Sequence, residues 1–241
     1  SNAWAFDVQL RCGTTIMAMK VAKSLMLADD TIHTVLLAGG YRNCDFSDYQ
    51  NEKTRFMFNL AAGGGAIILQ KNCNENSVLE ADILTDGSFS EDVVVPVGGT
   101  KNPLTPELLA QGAYRLDVLD PKGMKVRLEE KSLNNFIKVI RSSLAKSGYS
   151  EQDIAYIAVL HMKKSAHDYV LKTLGLSSEQ SIYLEHYGHI GQIDQILSLQ
   201  LALEQNKIQQ GDIVTLVSAG IGYAWGAITI KWGKEERDGT N

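Results

Sequence analysis

The sequence predicts an α/β protein built on a largely parallel sheet. Three observations carry that reading. Short apolar runs alternate with amphipathic helical stripes along most of the chain. One such run, Ala5 to Leu10, leads through Arg11-Cys12-Gly13 directly into a helix. The long apolar run Ile213 to Ile230 is interrupted by Gly220, Gly222 and Gly226. It therefore reads as two buried strands about a glycine turn rather than as a membrane span.

Each element follows from local pattern. Ala5 to Leu10 reads as a short strand. Residues 14 to 28 place Ile16, Met19, Ala22, Leu25 and Met26 on one helical stripe. His33 to Gly40 is a strand ending in two glycines, and residues 41 to 56 form a polar and aromatic excursion. Gly63-Gly64-Gly65 reads as a tight turn feeding a strand to Leu69. No Gly-Lys-Ser or Gly-Lys-Thr follows it, so close backbone packing explains these glycines better than a phosphate cradle. Val78 to Leu84 is a strand, and residues 85 to 106 are a Gly- and Pro-rich loop. Ser132 to Ser147 is an amphipathic helix with Leu133, Phe136, Ile137, Ile140 and Leu144 on one face, stopped by Gly148. Ser150 and Asp153 cap the next short turn. Ile154 to Leu160 is a strand that delivers His161 at its end. Ser165 to Leu174 is a helix stopped by Gly175, Ile182 to Leu184 a short strand, residues 186 to 191 a loop and Ile193 to Gln205 a helix.

Composition narrows the function classes. The chain has 241 residues, enough for one large or two small domains with a sizeable core. A formal net charge of -5, without any long basic block, argues against nucleic acid or an anionic membrane as partner. Cys12, Cys44 and Cys73 form no Cys-x-x-Cys pair, so neither a disulfide framework nor a zinc knuckle is indicated. Free thiols fit a reducing cytoplasm. Ser1-Asn2-Ala3 reads as a tag scar, outside the fold.

Cys12 is the residue that carries chemistry. A thiol at a strand-to-helix corner meets backbone N–H groups and the positive end of the helix dipole, which favour the thiolate. Such a thiol can act as a nucleophile, or it can be a buried structural cysteine. Cys44 and Cys73 take no role, His33 and His167 read as surface residues, and Tyr223 and Trp225 as core aromatics beside the glycine turn.

Six stretches in order resemble the ketoacyl-acyl-carrier-protein synthase III enzymes. They are Ala5-Phe6-Asp7-Val8 with Cys12, Leu60 to Leu69, Asp86-Gly87-Ser88 with Pro96 to Gly99, Gly148 to His161, Tyr187-Gly188-His189, and Gly211 to Gly226. The resemblance covers roughly Trp4 to Trp232 and implies a thiolase-like fold, layered α/β/α/β/α. It implies a first half shortened at its N-terminus over 4–107, a complete second half over 108–232, and a tail over 233–241. It further implies an acyltransferase with Cys12 as nucleophile, His161 as acid/base partner of the thiol, and the backbone N–H groups of Cys12 and Ile221 as oxyanion donors. Gly220 and Gly222 fall in the substrate-binding turn. Lys163 and Lys164 meet coenzyme A phosphates or an acidic carrier protein, or are two solvated lysines at a helix start.

The resemblance implies acyl-CoA or acyl carrier protein as substrate, no separate cofactor, and a homodimer pairing around Ala5 to Val8. Carbon–carbon condensation in fatty-acid or secondary-metabolite synthesis is the outcome it favours. The departures are informative. His189 stands where the family has an asparagine, and Met162-Lys163-Lys164 where it has Gln-Ala-Asn. The change at His189 leaves room for acyl transfer to an oxygen or nitrogen acceptor, and a non-catalytic subunit of a hetero-oligomer is the rival from another class. A zinc site from Cys12, His161 and His189, or from His186 and His189, has no recognised ligand spacing, so no metal is expected.

Overall fold

A computed structural model describes residues 2–234. Its elements in chain order are α1 (Thr14–Ala28), β1 (Thr34–Tyr41), β2 (Gly63–Gln70), β3 (Glu75–Thr85), β4 (Val93–Val94), α2 (Pro106–Ala110), β5 (Asp117–Val118), α3 (Pro121–Lys146), β6 (Ile154–Val159), α4 (Lys164–Thr173), α5 (Asp194–Glu204), β7 (Ile213–Gly220) and β8 (Ala224–Lys234).

The central sheet has the order β3-β8-β7-β6. Only β6 and β7 run parallel, while β8 is antiparallel to both β7 and β3. The expected largely parallel sheet is therefore mixed. A tight turn at residues 221–223 sends the chain straight back, which forces β7 and β8 antiparallel, and a parallel pair needs a crossover. β3 precedes residue 107 in sequence yet forms an edge of this sheet.

Both faces of the sheet are covered. On β6, Tyr156 and Ala158 face one layer, while Ile157 and Val159 face the other. This is why the strand reads as a continuous apolar run rather than an alternating one. Ile16, Met19, Ala22 and Met26 of α1 pack on the first face with Ala202 of α5. Phe136, Ile137, Ile140 and Leu144 of α3 and Val170 and Leu171 of α4 pack on the second. Each fully buried aliphatic side chain contributes about 1.5–3 kcal/mol. The antiparallel pair β1–β2 adds a further layer outside α1 and α5, with Val35, Leu37, Ile67 and Leu69 turned inward.

Several local expectations change. Residues 2–10 form no helix or strand, and Trp4 and Phe6 are exposed and stacked on each other, so the expected strand Ala5 to Leu10 does not form within this chain. Gly63 to Gly65 are not a turn but ladder residues of β2, opposite Tyr41, Gly40 and Gly39. Helix α3 begins eleven residues before the expected start at Ser132, because Asp120 caps Gly123 N at 2.9 Å and Pro121 occupies the first turn. Ile182 to Leu184 is not a strand. Beside the free edge of β6, side chains take the carbonyls a ladder would use: Gln180 Nε2 donates to Ile154 O, and Ser181 Oγ to Ile157 O. His167 is buried, not on the surface, because α4 turns it inward with Val170 and Leu171. Gly233 and Lys234, expected in the tail, complete β8. Ser1 of the expected tag scar and residues 235–241 of the expected tail lie outside the described residues.

Candidate active site

The site forms where the start of α1 meets the C-terminal ends of β6 and β7 and the loop before α5. Cys12 lies in a single 3-10 turn, Arg11–Gly13, that runs into α1. Short bonds build this corner. Gly13 N donates to Leu10 O at 3.0 Å, Leu10 N to Thr14 Oγ1 at 2.8 Å, and Thr14 Oγ1 to Arg11 O at 2.6 Å. Arg11 adopts a left-handed φ of 52°, a conformation that costs a non-glycine residue about 1–2 kcal/mol.

The corner is fastened to the sheet. Ser218 Oγ, fully buried in β7, donates to Cys12 O at 2.7 Å. At Gly220 a Cβ would stand 2.3 Å from Leu10 O, so only glycine permits the approach of the two segments. This places the Gly220–Gly222 stretch beside the nucleophile, although the Ile221 side chain packs away against the cluster of Met57, Val93, Leu116, Val118 and Met124.

The hydrogen-bond partner of the thiol is His189, not His161. His189 Nε2 lies 3.1 Å from Cys12 Sγ, and its Nδ1 lies 2.6 Å from Asp194 Oδ2. Asp194 is fully buried and also accepts Ile190 N and His161 N, each at 2.7 Å. The carboxylate thus fixes the imidazole and ties the end of β6 to the start of α5. Burial by itself would push the His189 pKa down. Hydrogen bonds to Asp194 and Cys12, with their charges, outweigh that and raise it, which favours the imidazolium form of His189.

The His189 loop is anchored twice more. His189 N donates to Asn59 O and Ala61 N to His189 O, both at 2.9 Å. Thr15 Oγ1 donates to Gln192 O at 2.6 Å, linking α1 to the same loop. Gly191 has a φ of 58°, and a Cβ there would lie 2.2 Å from the Tyr41 ring, so the loop can turn only at a glycine.

His161 stands beside the Cys12–His189 pair at the end of β6. Its backbone belongs to the Asp194 network, while its ring lies 5.0 Å from the Tyr183 ring. Burial, the largest cause, lowers its pKa against the opposing charge of Asp194, and the neighbouring His189 adds to the lowering. Its Nδ1 is buried with no hydrogen-bond partner among the described residues. Lys163 and Lys164 are exposed at the start of α4. Lys164 pairs with Asp168 and lies 5.4 Å over the Tyr183 ring, at the rim of the His161 environment. Cys44 is partly exposed and Cys73 exposed. Among the described residues, no group of three His, Cys, Asp or Glu side chains is arranged to hold a metal ion.

Sequence reasoning missed Asp194, Tyr41 and Ser218. A signal existed for the first: an aspartate five residues after His189, at the mouth of a helix, with Gly188 and Gly191 bending the loop between them.

Comparison with known proteins agrees with this architecture. Residues 6–87 match the family described as 3-oxoacyl-(acyl-carrier-protein) synthase III, and residues 144–232 match its C-terminal region. The β-ketoacyl-(acyl-carrier-protein) synthase III of Chlorobium phaeobacteroides is 28% identical over 236 residues, covering 96% of this chain and 69% of the relative. That of Aliarcobacter butzleri is 28% identical over 239 residues, covering 98% of this chain and 69% of the relative. Among solved structures, the Thermus thermophilus enzyme of the same name superposes with a TM-score of 0.79 at 23% identity, covering 97% of this chain and 69% of that one. With a thiolase-like fold and two matched regions that include Cys12 and His189, the chain belongs to the 3-oxoacyl-(acyl-carrier-protein) synthase III family of acyl-transferring enzymes.

Proposed function

We propose that this chain transfers an acyl group from a thioester, acyl-CoA or acyl carrier protein, through an acyl-Cys12 intermediate to an oxygen or nitrogen nucleophile. The observation that carries the reading is the relay from Cys12 Sγ through His189 to a buried Asp194. The Cys12 thiolate attacks the thioester carbonyl, and the carbon–sulfur bond of the donor breaks. His189 gives its proton to the departing thiolate. Acylation removes the negative charge at Cys12, one of the causes that hold the His189 pKa up, so His189 becomes a competent base. It then takes the proton of an acceptor hydroxyl or amine, which attacks the acyl-cysteine and expels the Cys12 thiolate. The proton held by His189 re-forms the starting pair. The N–H groups of Cys12 and Ile221 are the oxyanion donors of this reading, supported by the proximity of the Gly220 segment to the nucleophile turn. Lys163, Lys164, Gly220 and Gly222 remain its substrate contacts.

The relatives are named for β-ketoacyl synthesis, and carbon–carbon condensation is the other reading for this chain. It calls for donors that hold an enolate. An asparagine amide always donates, whereas an imidazole tethered to a carboxylate alternates between donor and base. The reading includes a homodimer, supported by the exposed segment 2–10 with Trp4 and Phe6, and a cytoplasmic setting, where Cys12 stays reduced.

Intact mass after incubation with a panel of acyl-CoA donors tests the intermediate. An added acyl mass that is absent in Cys12→Ala is expected. Discharge of that adduct by alcohols or amines, and not by malonyl carrier protein with release of carbon dioxide, supports the O/N acceptor. Discharge by the malonyl thioester alone would restore condensation. A folded chain that acquires no adduct points to a non-catalytic subunit.

A further inference from the structure

Tyr41, the last residue of β1, is nine-tenths buried in one cluster with Cys12, Ile190 and Ile193. Its ring lies 5.9 Å from the His189 ring, tilted by 56°, and fills the space left by the missing side chain of Gly191. Nothing in the relay Cys12–His189–Asp194 uses it. The relay nevertheless has a deficit. Cys12 is only 6% exposed, so a thiolate there sees little water, and His189 Nε2 supplies a single donor to a sulfur with several lone pairs.

We propose that Tyr41 is a further catalytic residue, its phenol O–H donating to Cys12 Sγ as the second donor that stabilises the thiolate, both before acylation and as the leaving group when the acceptor attacks. This rests on Cys12 as the reacting thiol and names a group the relay lacks. The phenol suits the task because it stays protonated. Burial first, then the charge of Cys12 and hydrogen bonding with it, raise the Tyr41 pKa, and a side-chain hydrogen bond with Asn43 only partly opposes this. Tyr41 therefore gives up no proton to the sulfur. It donates a hydrogen bond, and the proton inventory of the transfer remains with His189.

The test is the pH profile of Cys12 alkylation by iodoacetamide, followed by intact mass, in wild type and Tyr41→Phe. Phenylalanine keeps the ring against Gly191 and His189 and deletes only the hydroxyl. Other groups also set this profile: His189 and Asp194 from the α5 side, His161 from the end of β6, and Tyr223 from the β7–β8 turn. All are left intact. The midpoint should rise by about one pH unit in Tyr41→Phe, making alkylation roughly tenfold slower on the acid limb. Replacing Tyr41 by a fluorinated tyrosine, a stronger donor, should lower the midpoint. A midpoint unmoved in both variants overturns the proposal. Alkylation needs no acyl donor, so failure of the acyl-transfer reading would leave this result interpretable.

Discussion

The relay makes its sharpest prediction at Asp194. Changing Asp194→Asn preserves shape and removes one charge. The carboxylate now accepts three N–H groups, from His189, Ile190 and His161, at 2.6, 2.7 and 2.7 Å. An asparagine cannot accept all three, because its Nδ2 must face at least one of them. If Nδ2 faces His189, the imidazole must present a lone pair there and carry its proton on Nε2. The neutral ring then cannot accept the proton of the Cys12 thiol. Converting the carboxylate of a serine-protease triad to an amide costs about 10⁴-fold through the same tautomer error, equivalent to about 5 kcal/mol of barrier. A loss of about 10³- to 10⁴-fold in single-turnover acylation is therefore expected here. The assay is rapid-quench intact mass with the best acyl-CoA donor. Hydrogen bonds to a charge contribute about 1.5–3 kcal/mol each, and at least one is lost, so stability should fall by about 2–4 kcal/mol in urea denaturation. A pH signature accompanies this loss. His189 is raised in the fold, so its contribution is fully present below its ordinary value of 6.5 and is lost as pH rises through the raised one. In Asp194→Asn that slope should flatten. Acylation within tenfold of wild type by a folded variant would refute the relay.

Two further predictions address the frame of the site. His167 is 3% exposed, and burial, with Lys164 adding to it, lowers its pKa from 6.5 to about 4. The unfolded chain binds the proton more readily, so folding stability should fall as pH drops from 6.5 toward about 4, by about 3 kcal/mol from this group. His167→Phe, which can keep the edge-on contact with Tyr183, should remove that part of the acid sensitivity in denaturant titrations. An unchanged pH dependence would reassign it. At Gly220, alanine would press a methyl onto Leu10 O and the Arg11 Cβ. Gly220→Ala should displace the nucleophile corner, slow acylation by at least about tenfold and cost about 1–3 kcal/mol. Wild-type acylation would show that the corner tolerates the shift.

Local pattern and motif order were enough for most of the helices, the buried final strands, the family, and Cys12, His161 and His189 as candidates for the site. Those are local or order-dependent signals: a 3.6-residue stripe, capping residues, motifs in sequence. The capping box at Ser150 and Asp153 forms as its spacing requires. Strand direction was decided elsewhere, because apolar runs carry no polarity. Only the turn at residues 221–223 makes β8 antiparallel to β7. Tertiary structure likewise decided which histidine faces the thiol. Cys12 and His189 are 177 residues apart, and the resemblance gives the place of thiol partner to His161 at its strand end. Asp194 binds the His161 backbone and the His189 ring with one carboxylate, and so holds the His189 ring against the sulfur. Burial had the last word at Tyr41 and His167. A residue's exposure is set by which face of its element meets another layer, and that is fixed only when the layers pack.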